Sequence, residues 1–169
     1  MATVTNIPVE VYLHSTYEPD AEYVDGEIQE RSVGEYDHAS WQAALLEYFT
    51  NRKRDWNIRA LAELRVQVAA TRFRVPDVTL LDRDRPIEQV ITQPPLAVFE
   101  ILSPEDTTAR TLEKLLDYEQ MGILGIFLID PKSDARYQFH AGALVRLEAG
   151  PVPSGRLTID FKAVESLLD

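Results

Sequence analysis

The pattern of apolar residues predicts four β-strands in the middle of the chain. ELRVQVA at 63–69 alternates polar and apolar residues, which is typical of a strand with one buried face. FRVPDVTLLD at 73–82 follows after a turn, and we predict that it pairs with the first strand as a hairpin. LAVFEIL at 96–102 and ILGIFLIDP at 123–131 are mostly apolar on both faces, which indicates buried strands covered by helices.

Helical spacing of apolar and aromatic residues occurs in two places. We predict that Asp37 caps the first helix, which runs to about Asn51. The second helix follows the strand at 96–102. Ser103-Pro104 and the two acidic residues after it are typical of a helix start, with the serine as cap and a Ser-x-x-Asp capping box. This helix runs to about Met121, and the glycine that follows is suited to the position after a helix end.

Turn residues and the order of these elements predict the fold class. Asp25-Gly26 lies between two short extended segments and predicts a tight hairpin, and ARYQFHAGALVRL at 135–147 predicts another. A strand, a helix and a strand across 96–129 imply a right-handed parallel crossover within an otherwise antiparallel sheet. We therefore predict an α/β fold, with a mixed β-sheet flanked by helices, in a single domain spanning 1–169.

The charge balance narrows the possible functions. The chain carries 28 acidic and 17 basic residues, a formal net charge of −11 at pH 7. This argues against a protein that coats nucleic acid, because phosphate binding depends on clustered Lys and Arg, but it allows an enzyme with a local basic patch and a divalent metal. The absence of cysteine excludes disulfides and cysteine nucleophiles. Neither a signal peptide nor an apolar stretch of about 20 residues is visible, so we expect a cytoplasmic protein with no membrane contact.

Glu100 is an acidic residue within an apolar strand. An unpaired buried carboxylate costs several kcal/mol or stays protonated, so Glu100 is either paired with a buried arginine or serves as a ligand or catalyst. Asp77 is a second acid within a strand, directly after Pro76, although acids beside a proline at a strand edge are common. Together the two carboxylates offer the hard oxygen ligands that Mg²⁺ prefers, and the waters of the ion remain for a phosphate substrate.

A cation is expected to complete such a site. The helix after the apolar strand offers Arg110 and Lys114, whose long side chains could reach back because helical side chains lean toward the N-terminus. Both residues could instead lie on a solvated helix face. Arg52-Lys53-Arg54 and the pair Arg72 and Arg74 are candidate contacts for a phosphate backbone, or solvated charges at a helix end and a strand edge.

The acid pair and the segments around it resemble a known family. Pro76-Asp77, followed by Glu100 in a buried strand, is similar to the PD-(D/E)XK nuclease superfamily. The chain more closely resembles the Uma family of putative restriction endonucleases, in family order and spacing over most of 22–131. The matching segments are EYVDGEI (22–28), the helix opened by His38, FRVPDVTLL (73–81), VFEILSPED (98–106), EKLLDYEQMGI (113–123) and IFLIDP (126–131).

The resemblance implies a restriction endonuclease-like core that hydrolyses phosphodiester bonds of DNA with Mg²⁺ or Mn²⁺. It implies that Asp77 and Glu100 bind the metal. Lys114, in the EKLxxY segment of the family, would be the superfamily's lysine, moved from the strand to the helix. Leu102 stands at the position of the strand lysine, a departure that this family commonly shows.

The resemblance also suggests secondary candidates, and alternative functions stay open. Glu27 and His38 match family positions and, with Arg110, are secondary candidates for the site. Both matched residues would otherwise be exposed, one after a hairpin turn and the other in a first helical turn. Many superfamily members act as dimers, which implies a homodimer. The alternatives are a nuclease fold that binds or dimerises without turnover, which the charge of −11 favours, and a metal-dependent hydrolase of small phosphate esters or nucleotides.

Overall fold

The computed structural model describes residues 6–168, and within that range the chain forms twelve strands and four helices. The strands make a six-stranded sheet, a four-stranded sheet and a two-stranded ribbon. No helix in this range is both long and apolar enough to cross a membrane. In chain order the elements are α1 (Val9–Leu13), β1 (Ala21–Val24), β2 (Glu27–Glu30), α2 (Tyr36–Thr50), β3 (Ile58–Ala62), β4 (Val66–Ala69), β5 (Arg72–Arg74), β6 (Val78–Asp82), β7 (Ala97–Ile101), α3 (Thr108–Met121), β8 (Gly125–Ile129), β9 (Arg136–His140), β10 (Ala143–Arg146), β11 (Val152–Ser154), β12 (Leu157–Ile159) and α4 (Phe161–Glu165).

The six-stranded sheet contains the predicted parallel crossover. Its strand order is β10-β9-β8-β7-β6-β3, and only β7 and β8, which α3 connects, run parallel. Their register aligns Glu100 with Leu128. The predicted α/β class, with a mixed sheet flanked by helices, is confirmed.

Alternation along β7 decides which side chains meet each of the two long helices. Ala97, Phe99 and Ile101 pack in one core cluster with the buried residues of α2. Val98 packs in a second cluster with residues of α3. Because successive side chains on a strand point to opposite faces, Glu100 shares the face of Val98 and points toward α3.

The prediction of one continuous strand over 73–82 is wrong. β5 pairs with β1 and β4 in the four-stranded sheet, whereas β6 pairs with β3 and β7 in the six-stranded sheet. The break falls at 75–77, where Pro76 has no N–H to donate to a strand ladder. Asp77 therefore lies at the junction of the two sheets rather than within a strand.

The strand predicted at 63–69 is shorter in the structure, and another strand precedes it. β4 begins at Val66, because Glu63 has a φ of 51° that interrupts the extended backbone. The chain forms β3 at 58–62, where the sequence pattern predicted no strand. Only Ile58 of β3 is fully buried, since the strand lies at the edge of its sheet, and such a strand leaves little alternation to detect.

The start of α2 differs from the prediction, whereas the hairpins predicted at Asp25-Gly26 and at 135–147 are present. Glu35 occupies the N-cap position of α2, and Asp37 lies in the first turn. The Glu35 side chain makes no capping hydrogen bond. β1 pairs with β2 around Asp25-Gly26, and β9 pairs with β10 around Ala141-Gly142.

The helix predicted from Ser103 begins at Thr108 instead. The Ser103 N–H donates to Asp106 Oδ2 at 2.7 Å, so this segment closes a separate tight turn before the helix. Thr107 is the actual N-cap, with extended backbone angles and a side chain that accepts a hydrogen bond from the N–H of Arg110. The end of the helix is as predicted, since Gly122 adopts a φ of 100°.

Candidate functional site

Glu100 is 6% exposed and contacts two side chains of α3. Lys114 Nζ lies 3.0 Å from Glu100 Oε2, and the Tyr118 hydroxyl donates to Oε1 at 2.5 Å. Burial, together with the negative charges of Asp77 and Glu22, raises the pKa of Glu100 to about 7 despite the opposing effect of Lys114. The acid in the apolar strand is thus paired with a lysine, not with a buried arginine.

Asp77 is 3% exposed and is held by three donors. Its Oδ1 lies 2.6 Å from Arg31 Nη2 and 3.2 Å from His38 Nε2. Its Oδ2 accepts a hydrogen bond at 2.7 Å from the backbone N–H of Ile101, the residue after Glu100. Burial by itself raises the pKa of Asp77, but the hydrogen bond from His38 and the charge of Arg31 outweigh burial and lower the pKa.

Lys114 lies between two carboxylates. Its Nζ is 2.8 Å from Glu22 Oε1 and 3.0 Å from Glu100 Oε2. Burial by itself lowers the pKa of Lys114, but the negative charges of these acids outweigh burial and raise the pKa. The lysine is therefore a charged group at neutral pH, held in place rather than free on a solvated helix face.

Two of the three secondary candidates, His38 and Arg110, line the cleft that also contains Asp77, Glu100 and Lys114. His38 contacts Asp77, and although burial lowers the pKa of His38, the hydrogen bond and charge of Asp77 outweigh burial and raise it. Arg110 lines the cleft from the first turn of α3. Glu27 is exposed in the first residue of β2 and does not line the cleft, because it directly follows the hairpin turn.

Glu22, Arg31 and Tyr118 belong to the site but were not predicted from the sequence. Glu22 is 5% exposed on β1, where its Oε1 accepts a hydrogen bond from the Val75 N–H at 2.9 Å and its Oε2 lies 3.0 Å from Arg74 Nη1. All four positions of β1 are buried, but the sequence signal of Glu22 was weak because this strand is only four residues long. Arg31 and Tyr118 gave none, since an arginine after a strand and a tyrosine on a helix are ordinary.

The two candidate basic patches are remote from the cleft or already paired. Arg52 stacks over the Tyr48 ring, 3.8 Å from its centroid. It follows the C-terminal end of α2, roughly 20 Å from the end of the helix that reaches the cleft, at 1.5 Å per residue. Arg72 Nη1 lies 2.7 Å from Asp117, and Arg74 is 1% exposed. Arg52 is therefore distant from the cleft, and Arg72 and Arg74 are paired with carboxylates.

Apart from Tyr118, the site side chains line one cleft with a volume of about 420 Å³. Acids outnumber bases in its lining, so a bound cation would offset excess negative charge. The acids are Glu22, Glu30, Asp77, Glu100, Glu105 and Asp106, and the bases are Arg31, Arg74, Arg110 and Lys114, with His38 beside them.

The donor atoms of Asp77 and Glu100 fit a magnesium ion. A carboxylate has about four lone-pair positions; the contacts described above occupy three on Asp77 and two on Glu100. Within residues 6–168, no group of three or more His, Asp or Glu side chains could by itself hold a metal. Mg²⁺ needs only one or two carboxylates and keeps several waters, whereas Zn²⁺ takes three or four protein ligands. The spare lone pairs of these two carboxylates are therefore donors of the kind that Mg²⁺ or Mn²⁺ takes.

Comparison with known proteins places this arrangement in a family. The family model Uma2, described as "Putative restriction endonuclease", matches residues 9–162. The fold is similar to that of a crystal structure of a putative nuclease belonging to DUF820 from Anabaena variabilis ATCC 29413. That similarity covers 96% of this chain and 99% of the other, with a TM-score of 0.82 and 22% identity.

Two further comparisons give a weaker similarity and no match, respectively. A cryo-EM structure of a DrdV–DNA complex is similar over 75% of this chain and 11% of that one, with a TM-score of 0.44 and 21% identity. No curated protein matches the chain.

Proposed function

This chain belongs to the Uma2 family of putative restriction endonucleases, and from that membership we propose that it is an endonuclease that hydrolyses phosphodiester bonds of DNA with Mg²⁺ or Mn²⁺. The observation that supports this most directly is the contact of Lys114 with Glu100, beside Asp77. It joins a cation to two buried acids that retain lone pairs. Metal-assisted phosphodiester hydrolysis uses such a combination, in which carboxylates bind the metal and a positive group lies where negative charge develops.

Five side chains of the site have a role in the proposed reaction. Asp77 and Glu100 hold the metal, which when bound supplies a Lewis acid and a water of lowered pKa. Lys114 donates a hydrogen bond to the phosphoryl oxygen on which negative charge develops. Arg31 and His38 both bond to one oxygen of Asp77, which orients this carboxylate and keeps it ionised.

Cleavage assays test the proposal. Single-stranded, duplex and branched DNA are incubated with Mg²⁺ or Mn²⁺ and the wild type, Asp77→Asn or Glu100→Gln. Asp25→Asn is the matched control, because it removes the same charge from a half-exposed turn outside the cleft. We expect metal-dependent cleavage by the wild type and the control, and none by the two site variants. Cleavage that survives both site substitutions would refute the proposed roles.

The acidic lining and small volume of the cleft favour a second candidate, a metal-dependent hydrolase of small phosphate esters or nucleotides. A cleft of about 420 Å³ is within the size range of small-molecule sites. Nucleotides and bis(p-nitrophenyl) phosphate, assayed beside DNA, separate the two functions. Turnover of these esters without cleavage of DNA would favour the second candidate, and binding of DNA without turnover would indicate a catalytically silent module.

We further propose that the protein acts as a homodimer in the cytoplasm. The two strands of duplex DNA are related by two-fold symmetry, so a two-fold pair of sites would cut both strands. Light scattering coupled to size-exclusion chromatography measures the mass in solution, and fractionation of cells reports the location. A monomer at the concentrations that support cleavage would contradict the dimer.

A further inference from the structure

Four charged side chains form a ring of contacts that begins and ends on α3. Lys114 Nζ lies 2.8 Å from Glu22, and Glu22 lies 3.0 Å from Arg74 Nη1. Arg74 Nε then donates to Asp117 Oδ2 at 2.7 Å. Asp117 is three residues after Lys114, so both lie on one side of the helix. The ring therefore fixes α3 against β1 and β5 of the four-stranded sheet.

We infer that Glu22 and Arg74 are positioning residues, which hold the ammonium group of Lys114 at the place where it acts. This inference rests on the proposed function, in which Lys114 donates to a phosphoryl oxygen. An ammonium group has three donors, and two of them are directed at Glu22 and Glu100. Glu22 continues to hold the lysine when the oxygens of Glu100 serve a metal, and the third donor is left for the substrate.

Arg74 suits this role because its guanidinium bonds to both acids of the ring at once. Its Nε bonds to Asp117 and its Nη1 bonds to Glu22, at 1% exposure. A lysine at this position would carry the charge but not the rigid fork. The backbone N–H of Val75 adds a bond to Glu22 Oε1 at 2.9 Å, so the carboxylate is held from two directions. The position of Lys114 is thereby set by the smaller sheet as well as by β7.

Glu22 has a competing role that the test must separate from positioning. Its contacts with Lys114, Val75 and Arg74 occupy three of about four lone-pair positions, so one remains. A carboxylate with one free position could serve as a third metal ligand instead. Substitution of a positioning residue should change the mobility of Lys114 and the turnover number. Substitution of a metal ligand should change the affinity for the metal.

The test compares Glu22→Gln with Asp25→Asn. Both substitutions remove one negative charge at nearly constant shape, and Asp25 pairs with Arg72 rather than with Lys114. Asparagine also tolerates the φ of 49° at position 25. The chain has four lysines, so carbon-13 labelling of the lysine ε-carbon gives a simple spectrum, in which Lys114→Arg identifies the resonance of interest. Relaxation of that resonance reports mobility, electron paramagnetic resonance reports Mn²⁺ affinity, and DNA cleavage reports kcat and KM.

We expect Glu22→Gln to make the ε-carbon of Lys114 mobile and to lower kcat about 10- to 100-fold, while KM and Mn²⁺ affinity stay as in the wild type. Arg74→Lys should act in the same direction, and Asp25→Asn should match the wild type. A cooperative thermal unfolding transition is the check that each variant is folded.

Two outcomes would overturn the inference. An ordered Lys114 with unchanged kcat in Glu22→Gln would show that Glu22 does not position the lysine. Loss of Mn²⁺ binding in Glu22→Gln would make Glu22 a metal ligand. If the wild type cleaves no substrate, the proposed function fails, but the relaxation measurement still decides whether Glu22 holds the lysine.

Discussion

Removing the carboxylate of Glu100 should change how the stability of the fold depends on pH. Glu100→Gln preserves the size of the side chain and its ability to accept the hydrogen bond from Tyr118. In the wild type, burial raises the pKa of Glu100 from 4.5 to about 7. An acid whose pKa is higher in the folded state stabilises the fold while it is protonated, and this contribution is lost as the pH rises through the folded pKa.

The size of the effect follows from the two pKa values of Glu100. Their difference corresponds to about 3 kcal/mol of unfolding free energy, at 1.36 kcal/mol per pKa unit. This contribution is fully present below pH 4.5 and is lost by the time the pH has passed about 7. Glutamine does not titrate, so the stability of Glu100→Gln relative to the wild type should rise by about that amount across the same window. The other titrating groups are common to both proteins, so most of their contribution cancels in the comparison.

The measurement is urea unfolding of both proteins in EDTA at several pH values from about 4.5 to 8.5, which span the window between the two pKa values. The difference in unfolding free energy between variant and wild type is plotted against pH. We expect it to increase with pH and to level off above the folded pKa of Glu100. A difference that stays constant over the whole range would show that Glu100 is not held with a raised pKa, and the account of its burial would be refuted.

Three further predictions concern the lysine, a close packing contact and the cleft rim. Lys114→Met should lower the DNA cleavage rate by about 100- to 1000-fold, because it removes a donor to the developing charge, and a retained rate would exclude that role. Gly125→Ala should destabilise the fold by about 1–3 kcal/mol in urea unfolding, since a Cβ there would lie 2.5 Å from Ser154 Oγ. Unchanged stability would mean that the strand carrying Ser154 can move to accommodate the added methyl group. Arg110→Glu should weaken DNA binding in a fluorescence anisotropy titration, while Arg52→Glu should not, because only Arg110 lines the cleft; equal effects would place the binding surface elsewhere.

Local patterns in the sequence were enough to predict much of the fold and part of the candidate site. Two apolar stretches on either side of a helical segment predicted the parallel β7–α3–β8 unit, and a glycine after the last helical residue predicted the end of α3. Glu100 could be identified because a charged residue in a run of buried positions has a large desolvation cost. Residue types and spacing made Asp77 a candidate metal ligand and Lys114 a candidate cation, and the family resemblance implied the same roles. The structure places both residues around Glu100.

The tertiary structure decided the features that depend on contacts between distant segments. Whether β5 and β6 form one strand or two depends on which sheet each joins, and sequence alternation is compatible with both arrangements. Likewise, the residues next to Arg74 in the sequence suggest an exposed side chain. Arg74 is buried because it is neutralised by Asp117 and by Glu22, which is 52 residues away. The spacing of apolar residues indicates which positions of one helix or strand face the core. It does not record which charge on another element will be its partner, because that choice is made only when the two sheets and α3 pack together.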